Sequence, residues 1–338
     1  MGGAVRLAVI GAGRIGRLHA RNVRFFVPGA RLEAVADVRV EAARELAAEL
    51  GVERCYGDFR RMLEEVELDG VVVCSSTDTH AEVIEAAASA GRHVFCEKPI
   101  EVSLERIDRV LEAVKRHGVK LQVGFQRRFD PSVASLRRAV SEGEIGDLHL
   151  LLITSRDPNP PSIEYIRSSG GIFRDMTIHD FDVARFVVGD EVEEVYARGE
   201  VKVDERIGEA GDVDTALVVL RFRNGVLCSI NNSRRAVYGY DQRVEAFGSR
   251  GMISTLNVPE RFTLRGDERG FHTDLLQNFF VERYREAYVE EMRQFVEAIR
   301  GEREIPCTGR DGKMASALAE AATRSLREGR PVKLEEVL

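Results

Sequence analysis

At 338 residues the chain is too long for one ordinary core and points to two domains. With 44% hydrophobic and 31% charged residues it reads as a soluble globular protein rather than a disordered or membrane one. A net charge of -7 lacks the basic excess that binding a phosphate backbone needs, so no nucleic-acid partner is expected and small molecules are favoured.

The opening "MGGAVRLAVIGAG" runs straight into a strand, with no charged leader and no apolar run long enough to span a bilayer. The cysteines Cys55, Cys74, Cys96, Cys228 and Cys307 are odd in number and form no C-x-x-C pair, which argues against a disulfide framework or structural zinc. Cys74 and Cys96 lie in apolar runs and read as core. A reducing cytoplasm and no membrane contact are the expectation.

"VRLAVIGAGRIGRLHARNV" is an apolar strand, then Gly11, Gly13 and Gly16 in G-x-G-x-x-G spacing, then a helical pattern. Gly11 permits a tight turn, Gly13 lets the backbone approach a pyrophosphate, and Gly16 lets helix and strand pack closely. The helix start, from Arg14 and Ile15, offers free N–H groups to the phosphates. The glycine spacing alone is a weak signal; its place between strand and helix makes it strong.

A second strand, "RLEAVADV", ends at Asp37, 26 residues after Gly11. A carboxylate there accepts from both adenosine ribose hydroxyls and repels a 2′-phosphate, which favours NAD over NADP, although Arg39 close by could accommodate that phosphate. The alternation continues through strand "DGVVVCSS", helix "THAEVIEAAASAG", strand "RHVFCEK", helix "SLERIDRVLEAVKRHG" and strand "VKLQVGF". Apolar strands alternating with amphipathic helices describe a parallel sheet covered on both faces, whose ligands bind at the carboxyl ends of the strands. Ser75, Ser76, Thr77, His80, Glu97 and Lys98 begin at such ends and are expected toward the nicotinamide half. For the two serines and Thr77, turn and helix-capping duty explains the residue types equally well.

Only 6 of the 49 basic side chains are lysines, a bias with a compositional cause that makes each lysine stand out. Lys98 is the sole lysine of the first 114 residues. A partly desolvated ammonium can lose and regain a proton, which a guanidinium cannot, so a lysine here suits proton exchange or a compact point charge.

After "GFQRRFDPS" the alternation stops, and a joint near residue 125 is expected: residues 1–124 form the nucleotide-binding domain and 125–338 the substrate and oligomerisation domain, whose C-terminal helices are free to pack back on the first. The strands "LHLLLITSR", "VEEVYARGEV", "TALVVLRF", "VLCSINNSRRA", "RVEAFGS" and "MISTL" follow, with hairpin turns at Asn224–Gly225 and near Arg250–Gly251. They predict a large, mainly antiparallel open sheet with one face on its helices and the other free to serve as an interface. The fold class is therefore α/β joined to α+β. In "RYREAYVEEMRQFVEAIRG" the stripe Tyr284, Tyr288, Met292, Phe295, Val296 and Ile299 reads as core, and "GKMASALAEAATRSLREG" as a second amphipathic helix.

Within this half, "GGIFRDMTIHDFD" sets Asp175, His179 and Asp182 at i, i+4 and i+7, three ionisable groups on one helical face where an apolar stripe would be ordinary. Together "GAGRIG", "CSSTDTH", "FCEKP", "GFQRRFDPS" and "GGIFRDMTIHDFD" resemble the Gfo/Idh/MocA oxidoreductase family over nearly the whole chain. "SRDPNPPSIEYIRSSGGIF" and "NNSRRAVYGYDQRVEAFGS" resemble its inositol 2-dehydrogenase branch. The resemblance implies Lys98 as the catalytic lysine, His179 as the proton-accepting histidine and Asp175 as their accompanying carboxylate. It further implies Asp182 as a substrate or orienting contact, and Arg127, Asp157 and Tyr238 in segments bordering the sugar pocket. A homotetramer and a place in inositol catabolism are implied as well. Thr77-Asp78 departs from the Thr-Pro that many members carry.

A metal site at Asp175-x-x-x-His179 is geometrically possible but lacks a second histidine, so no metal is expected. A solvated stripe is opposed by Phe173, Met176, Ile178 and Phe181, which bury its surroundings. The catalytic reading explains more: imidazole suits removal of a hydroxyl proton near neutrality, a carboxylate one turn earlier orients it, and an ammonium stabilises the alkoxide. The expectation is an NAD-dependent dehydrogenase of a cyclic polyol, with inositol first and an aldose second. A non-catalytic NAD- or sugar-sensing regulator, and an enzyme using held NAD only transiently, are the rivals.

Overall fold

The computed structural model describes residues 3–338, so Met1 and Gly2, where the reading of the N-terminus begins, lie outside the described residues. It divides into two compact units: Met1–Phe129 with Glu286–Met314, and Asp130–Arg285 with Ala315–Leu338. Among the described residues no helix is long and apolar enough to cross a membrane.

The first unit alternates β1 (Val5–Ile10), α1 (Arg14–Phe25), β2 (Ala30–Ala36), α2 (Val40–Leu50), β3 (Arg54–Tyr56), α3 (Phe59–Glu65), β4 (Gly70–Val73), α4 (Thr77–Ser89), β5 (His93–Glu97), α5 (Leu104–His117) and β6 (Leu121–Gly124). The six strands pair in the order β3-β2-β1-β4-β5-β6, all parallel. The strands are runs of Val, Ile, Leu and Ala because both faces are covered, and β4 is buried at every position. The order reverses between β1 and β4, and at such a switch the loops after neighbouring strands diverge and leave a crevice. Cys96 is buried as expected; Cys74, at the mouth of that crevice, is only half-buried.

The second unit contains α6 (Pro131–Ser141), β7 (Leu148–Arg156), α7 (Ile163–Ser168), a wide π turn over Phe173–Thr177, α8 (Ile178–Val188), β8 (Val192–Glu200), α9 (Glu205–Glu209), β9 (Thr215–Phe222), β10 (Leu227–Ser233), β11 (Asp241–Gly248), β12 (Gly251–Ser254), β13 (Leu264–Asp267), β14 (Gly270–Thr273) and α10 (Phe280–Arg283). The helices α11 (Arg285–Ile299) and α12 (Gly309–Glu328) and the short strand β15 (Val332–Lys333) complete the chain. Seven strands form one sheet in the order β12-β11-β7-β10-β9-β8-β15, antiparallel except for the β7–β10 pair. Hairpins close at Asn224–Gly225 and at Ser249–Arg250, as the sequence predicts.

Along these strands burial alternates. Leu151, Ile153, Val218, Leu220, Ile230 and Ala246 are buried, while Leu150, Leu152, Leu217, Val219, Leu227 and Phe247 on the other face are exposed, Leu217 at 61%. All but the end of the tail stripe is core: Tyr284 and Tyr288 are buried, Met292, Phe295 and Val296 join the β1–β2–β5 cluster of the first unit, and Ile299 packs against that cluster only partly buried.

Candidate active site

The turn after β1 is built for close approach. Gly11 has φ +103°, and a Cβ there would lie 2.5 Å from the carbonyl of Cys74; one on Gly16 would lie 1.7 Å from the Gly11 carbonyl oxygen. Gly13 is different, since a Cβ there would meet nothing within 4 Å: its face is open. Gly13 also caps α1 without a side-chain hydrogen bond, which leaves the first N–H groups of α1 for a ligand. Arg14 stands exposed and Ile15 half-buried beside it.

Asp37 follows β2 directly. Its Oδ2 accepts from Ala12 N–H at 2.7 Å and its Oδ1 from Arg39 N–H at 2.8 Å, so the carboxylate is fixed at the turn while each oxygen keeps a lone pair for a ribose hydroxyl. The Arg39 side chain is mostly exposed, with Nε 3.8 Å from Oδ1. An open phosphate turn flanked by an oriented carboxylate fits a dinucleotide.

Beyond β4, Ser75 and Thr77 are half-buried and Ser76 exposed. Ser76 is the N-cap of α4 but its hydroxyl makes no capping bond; Thr79 instead donates from Oγ1 to Ser75 Oγ (2.7 Å) and Ser76 O (2.8 Å). His80 is buried, with ring nitrogens 2.8 Å from Pro99 O and 3.0 Å from Ser75 O, and so ties the loop after β4 to the loop after β5. That second loop carries Glu97, the half-buried Lys98 and a cis Lys98–Pro99 bond. Arg127 lies buried in the short 3-10 turn Gln126–Phe129 that follows β6.

The second unit holds the remaining residues. Asp175 does not share one regular helix with His179 and Asp182: it lies in the π turn, and α8 starts only at Ile178. Gly170 and Gly171, at φ +82° and +88°, turn the chain into this segment, and Asp212 Oδ1 accepts from Ile172 N–H at 3.1 Å. The widened turn leaves Asp175 between two donors. Tyr165 donates its hydroxyl to Oδ1 at 2.8 Å, and Arg234 donates from Nη1 to Oδ2 at 3.0 Å. Arg234 is 1% exposed and has Asp212 at 3.6 Å on its other side. Burial and then the charge of Asp175 push the Tyr165 hydroxyl up, so it stays a donor.

The helix α8 is pinned by the residue after His179. Asp180 is fully buried and accepts from Ser155 Oγ of β7 at 2.6 Å and from Asn232 Nδ2 of β10 at 2.8 Å. This leaves His179 half-buried on one side of the helix and Asp182 fully buried. Phe173, Met176, Ile178 and Phe181 are buried around them, as expected. Asp157, one residue beyond β7, is half-buried and fastened through its backbone to Ser233 and Ala236. Tyr238 is 40% exposed, accepts from Arg156 and donates to Asp241 at 2.7 Å.

The expected residues thus form two sets, one around the β1, β4 and β5 loops of the first unit and one around the π turn of the second. Sequence reading passed over Arg234, Tyr165, Asp212 and Asp180. Arg234 was findable: in "NNSRRA" it continues the inward alternation of Ile230 and Asn232.

Residues 5–125 match the family model described as an oxidoreductase family with an NAD-binding Rossmann fold, and residues 133–254 match its GFO/IDH/MocA C-terminal domain. The chain belongs to the Gfo/Idh/MocA oxidoreductase family. Among its relatives, the myo-inositol 2-dehydrogenase of Thermotoga maritima is 52% identical over 99% of this chain and 100% of that one. The inositol 2-dehydrogenase of Rhizobium meliloti is 45% identical over 98% and 99%. The crystal structure of scyllo-inositol dehydrogenase from Lactobacillus casei with bound NAD(H) and scyllo-inositol superposes with a TM-score of 0.92, at 31% identity over 98% and 99%. Membership of the family accounts for the open phosphate turn and the six-stranded parallel sheet of the first unit.

Proposed function

We propose that this chain is an NAD-dependent inositol 2-dehydrogenase, which oxidises a secondary ring hydroxyl of the polyol to the ketone. The full-length match to the Thermotoga maritima chain carries the reading, in a protein that has its own phosphate turn, Lys98 and a fixed Asp175 four residues before His179. NAD, when bound, supplies the hydride acceptor. Gly11, Gly13, Gly16 and the start of α1 hold its pyrophosphate, Asp37 its adenosine ribose, and the Ser75–Thr77 and Glu97–Lys98 loops its nicotinamide half. His179 takes the hydroxyl proton, Asp175 holds the substrate or the ring in place, and the Lys98 ammonium stabilises the developing alkoxide.

Arg127, Asp157, Asp182 and Tyr238 pair with the remaining hydroxyls. A site that pairs each hydroxyl discriminates strongly, because the wrong epimer leaves a buried group unmatched. The exposed apolar face of the seven-stranded sheet is covered by further copies of the chain in a homotetramer, and the enzyme works in the cytoplasm.

The test is NADH formation by purified protein given NAD or NADP and a panel of inositols and aldoses. Polyol-dependent, stoichiometric NADH is expected with an inositol, and none with any polyol would favour a regulator. The variant Asp37→Ser is expected to relax the preference for NAD over NADP by about tenfold or more, as loss of a charged hydrogen-bonding partner does. A parent that already prefers NADP overturns the role given to Asp37.

A further inference from the structure

Glu97 ends β5 one residue before Lys98, and its carboxylate is held from behind. His19, on the buried face of α1, donates from Nε2 to Glu97 Oε1 at 2.7 Å. Glu291, on the buried face of α11, sets its Oε1 3.8 Å from the same nitrogen. One polar atom from each of the three side chains lies within 4.8 Å of the other two, and all belong to the first unit.

His19 and Glu291 are both 0% exposed. Neither oxygen of Glu291, nor Nδ1 of His19, has a hydrogen-bond partner among the described residues. Phe95 and Tyr288 pack on the imidazole at 5.0 and 5.8 Å. The titratable groups facing Glu291 are His19 from α1, Cys74 from the end of β4, Glu97 from β5 and, through the imidazole, Tyr288 of its own helix. None of these is a lysine or an arginine.

A metal centre does not match this spacing. Ligands at about 2.0–2.2 Å from a tetrahedral ion stand more than about 3 Å apart, whereas Nε2 of His19 and Oε1 of Glu97 are at hydrogen-bonding distance. An ionised Glu291 would bury a charge with no side-chain or backbone donor among the described residues and set two carboxylates against each other in a low-dielectric pocket. A protonated Glu291 carries no charge, which removes the repulsion and most of the burial cost.

We propose that His19 and Glu291 are positioning residues for Glu97: the imidazole holds the Glu97 carboxylate at the sheet edge, and Glu291 stays a neutral acid so that one carboxylate alone stands behind Lys98. Burial first, and then the charge of Glu97, hold the Glu291 carboxyl well above the usual carboxylate range, in the direction this requires. The proposal rests on the reading of Glu97 and Lys98 as residues of the nicotinamide end.

Infrared difference spectra of the full chain at neutral pH are expected to show a protonated-carboxyl band that Glu291→Gln removes; no such band in the parent overturns the proposal. Because the folded acid holds its proton more tightly than the unfolded one, the stability linked to it is complete below about pH 4.3 and is lost as pH rises through the folded value. The melting temperature of Glu291→Gln should therefore gain on that of the parent as pH rises, and a constant difference counts against the idea. For positioning, His19→Leu is expected to raise KM for NAD about tenfold with kcat changed less than about threefold. His19→Gln, which keeps a donor toward Glu97, should restore most of that loss, and equal defects in the two variants reject the role. Stoichiometric metal in the purified protein would also overturn the proposal. Absence of polyol-dependent NADH while the parent shows the infrared band would sink only the functional reading, and a parent that turns over inositol but shows no such band would sink only this one.

Discussion

Asp175 is a carboxylate whose two oxygens are already engaged, by a phenol that remains protonated and by a buried guanidinium. Such a group is held in one orientation, which suits the positioning role proposed for it better than a role that needs it to swing between partners. Removing it has a structural cost as well, because Arg234 would be left buried with Asp212 alone at 3.6 Å. The variant Asp175→Ala is expected to lose roughly 3 kcal/mol of unfolding stability in urea, as breaking a buried ion pair does, while His179→Ala, at a half-buried position, loses less than about 1 kcal/mol. Equal losses would mean that Arg234 does not depend on Asp175. In kinetics, Lys98→Met and His179→Ala are each expected to bind NAD with little change while kcat falls by about 10²-fold or more; near-parental turnover in either variant would refute its assigned role. Residue type and spacing mark a chemical site but not a buried polar group behind it. His19 follows Gly16 by three and precedes Val23 by four, and Glu291 sits among Tyr288, Met292 and Phe295, so both interrupt buried helical stripes. A polar residue on such a stripe is a visible signal, but its partner is set by tertiary packing, which periodicity does not encode.

At the scale of elements, the sequence was most legible where a backbone demand admits one residue type. The glycines after β1 are such a place, since Gly16 has no room for a methyl against the Gly11 carbonyl. The variant Gly16→Ala is expected to push α1 away from β1, lowering the melting temperature by several degrees, as loss of about 1–3 kcal/mol implies, and weakening NAD binding measured by calorimetry. Unchanged affinity would separate helix packing from phosphate binding. The segment carrying Asp175 was less legible. A regular spacing of four and then three residues describes one helix, and nothing in "FRDMT" signals a π turn. The wide turn follows from contacts distant in sequence: Asp212 on the Ile172 amide, and Tyr165 and Arg234 on Asp175. Short elements such as α7, α9 and the β13–β14 hairpin were also passed over, because they are too brief to show a period.

Across the whole molecule, the parallel sheet and the mainly antiparallel sheet were both readable, one from continuous apolar strands joined by amphipathic helices and the other from hairpin turns and alternation. The second sheet leaves an apolar surface on one side, with Leu150 in register with both Leu227 and Phe247. Single exposed apolar residues are ordinary, but a contiguous row across several strands marks a surface meant to be covered. If copies of the chain cover it, Leu150→Glu together with Phe247→Glu should shift the light-scattering mass to smaller species while circular dichroism stays native. An unchanged mass would place the assembly contact elsewhere.

Glu286–Met314 is part of the first unit although more than 150 residues separate it from Phe129. Met292, Phe295 and Val296 fill the same core as Val9, Val35 and Phe95. During vectorial synthesis the ribosome therefore releases all six parallel strands long before the helix that closes over them exists. The nascent N-terminal portion must wait, with part of its interior uncovered, until more than 150 further residues have been translated. A gene fragment ending at Phe129 would encode every strand of that sheet and still lack the plug that makes it a stable body.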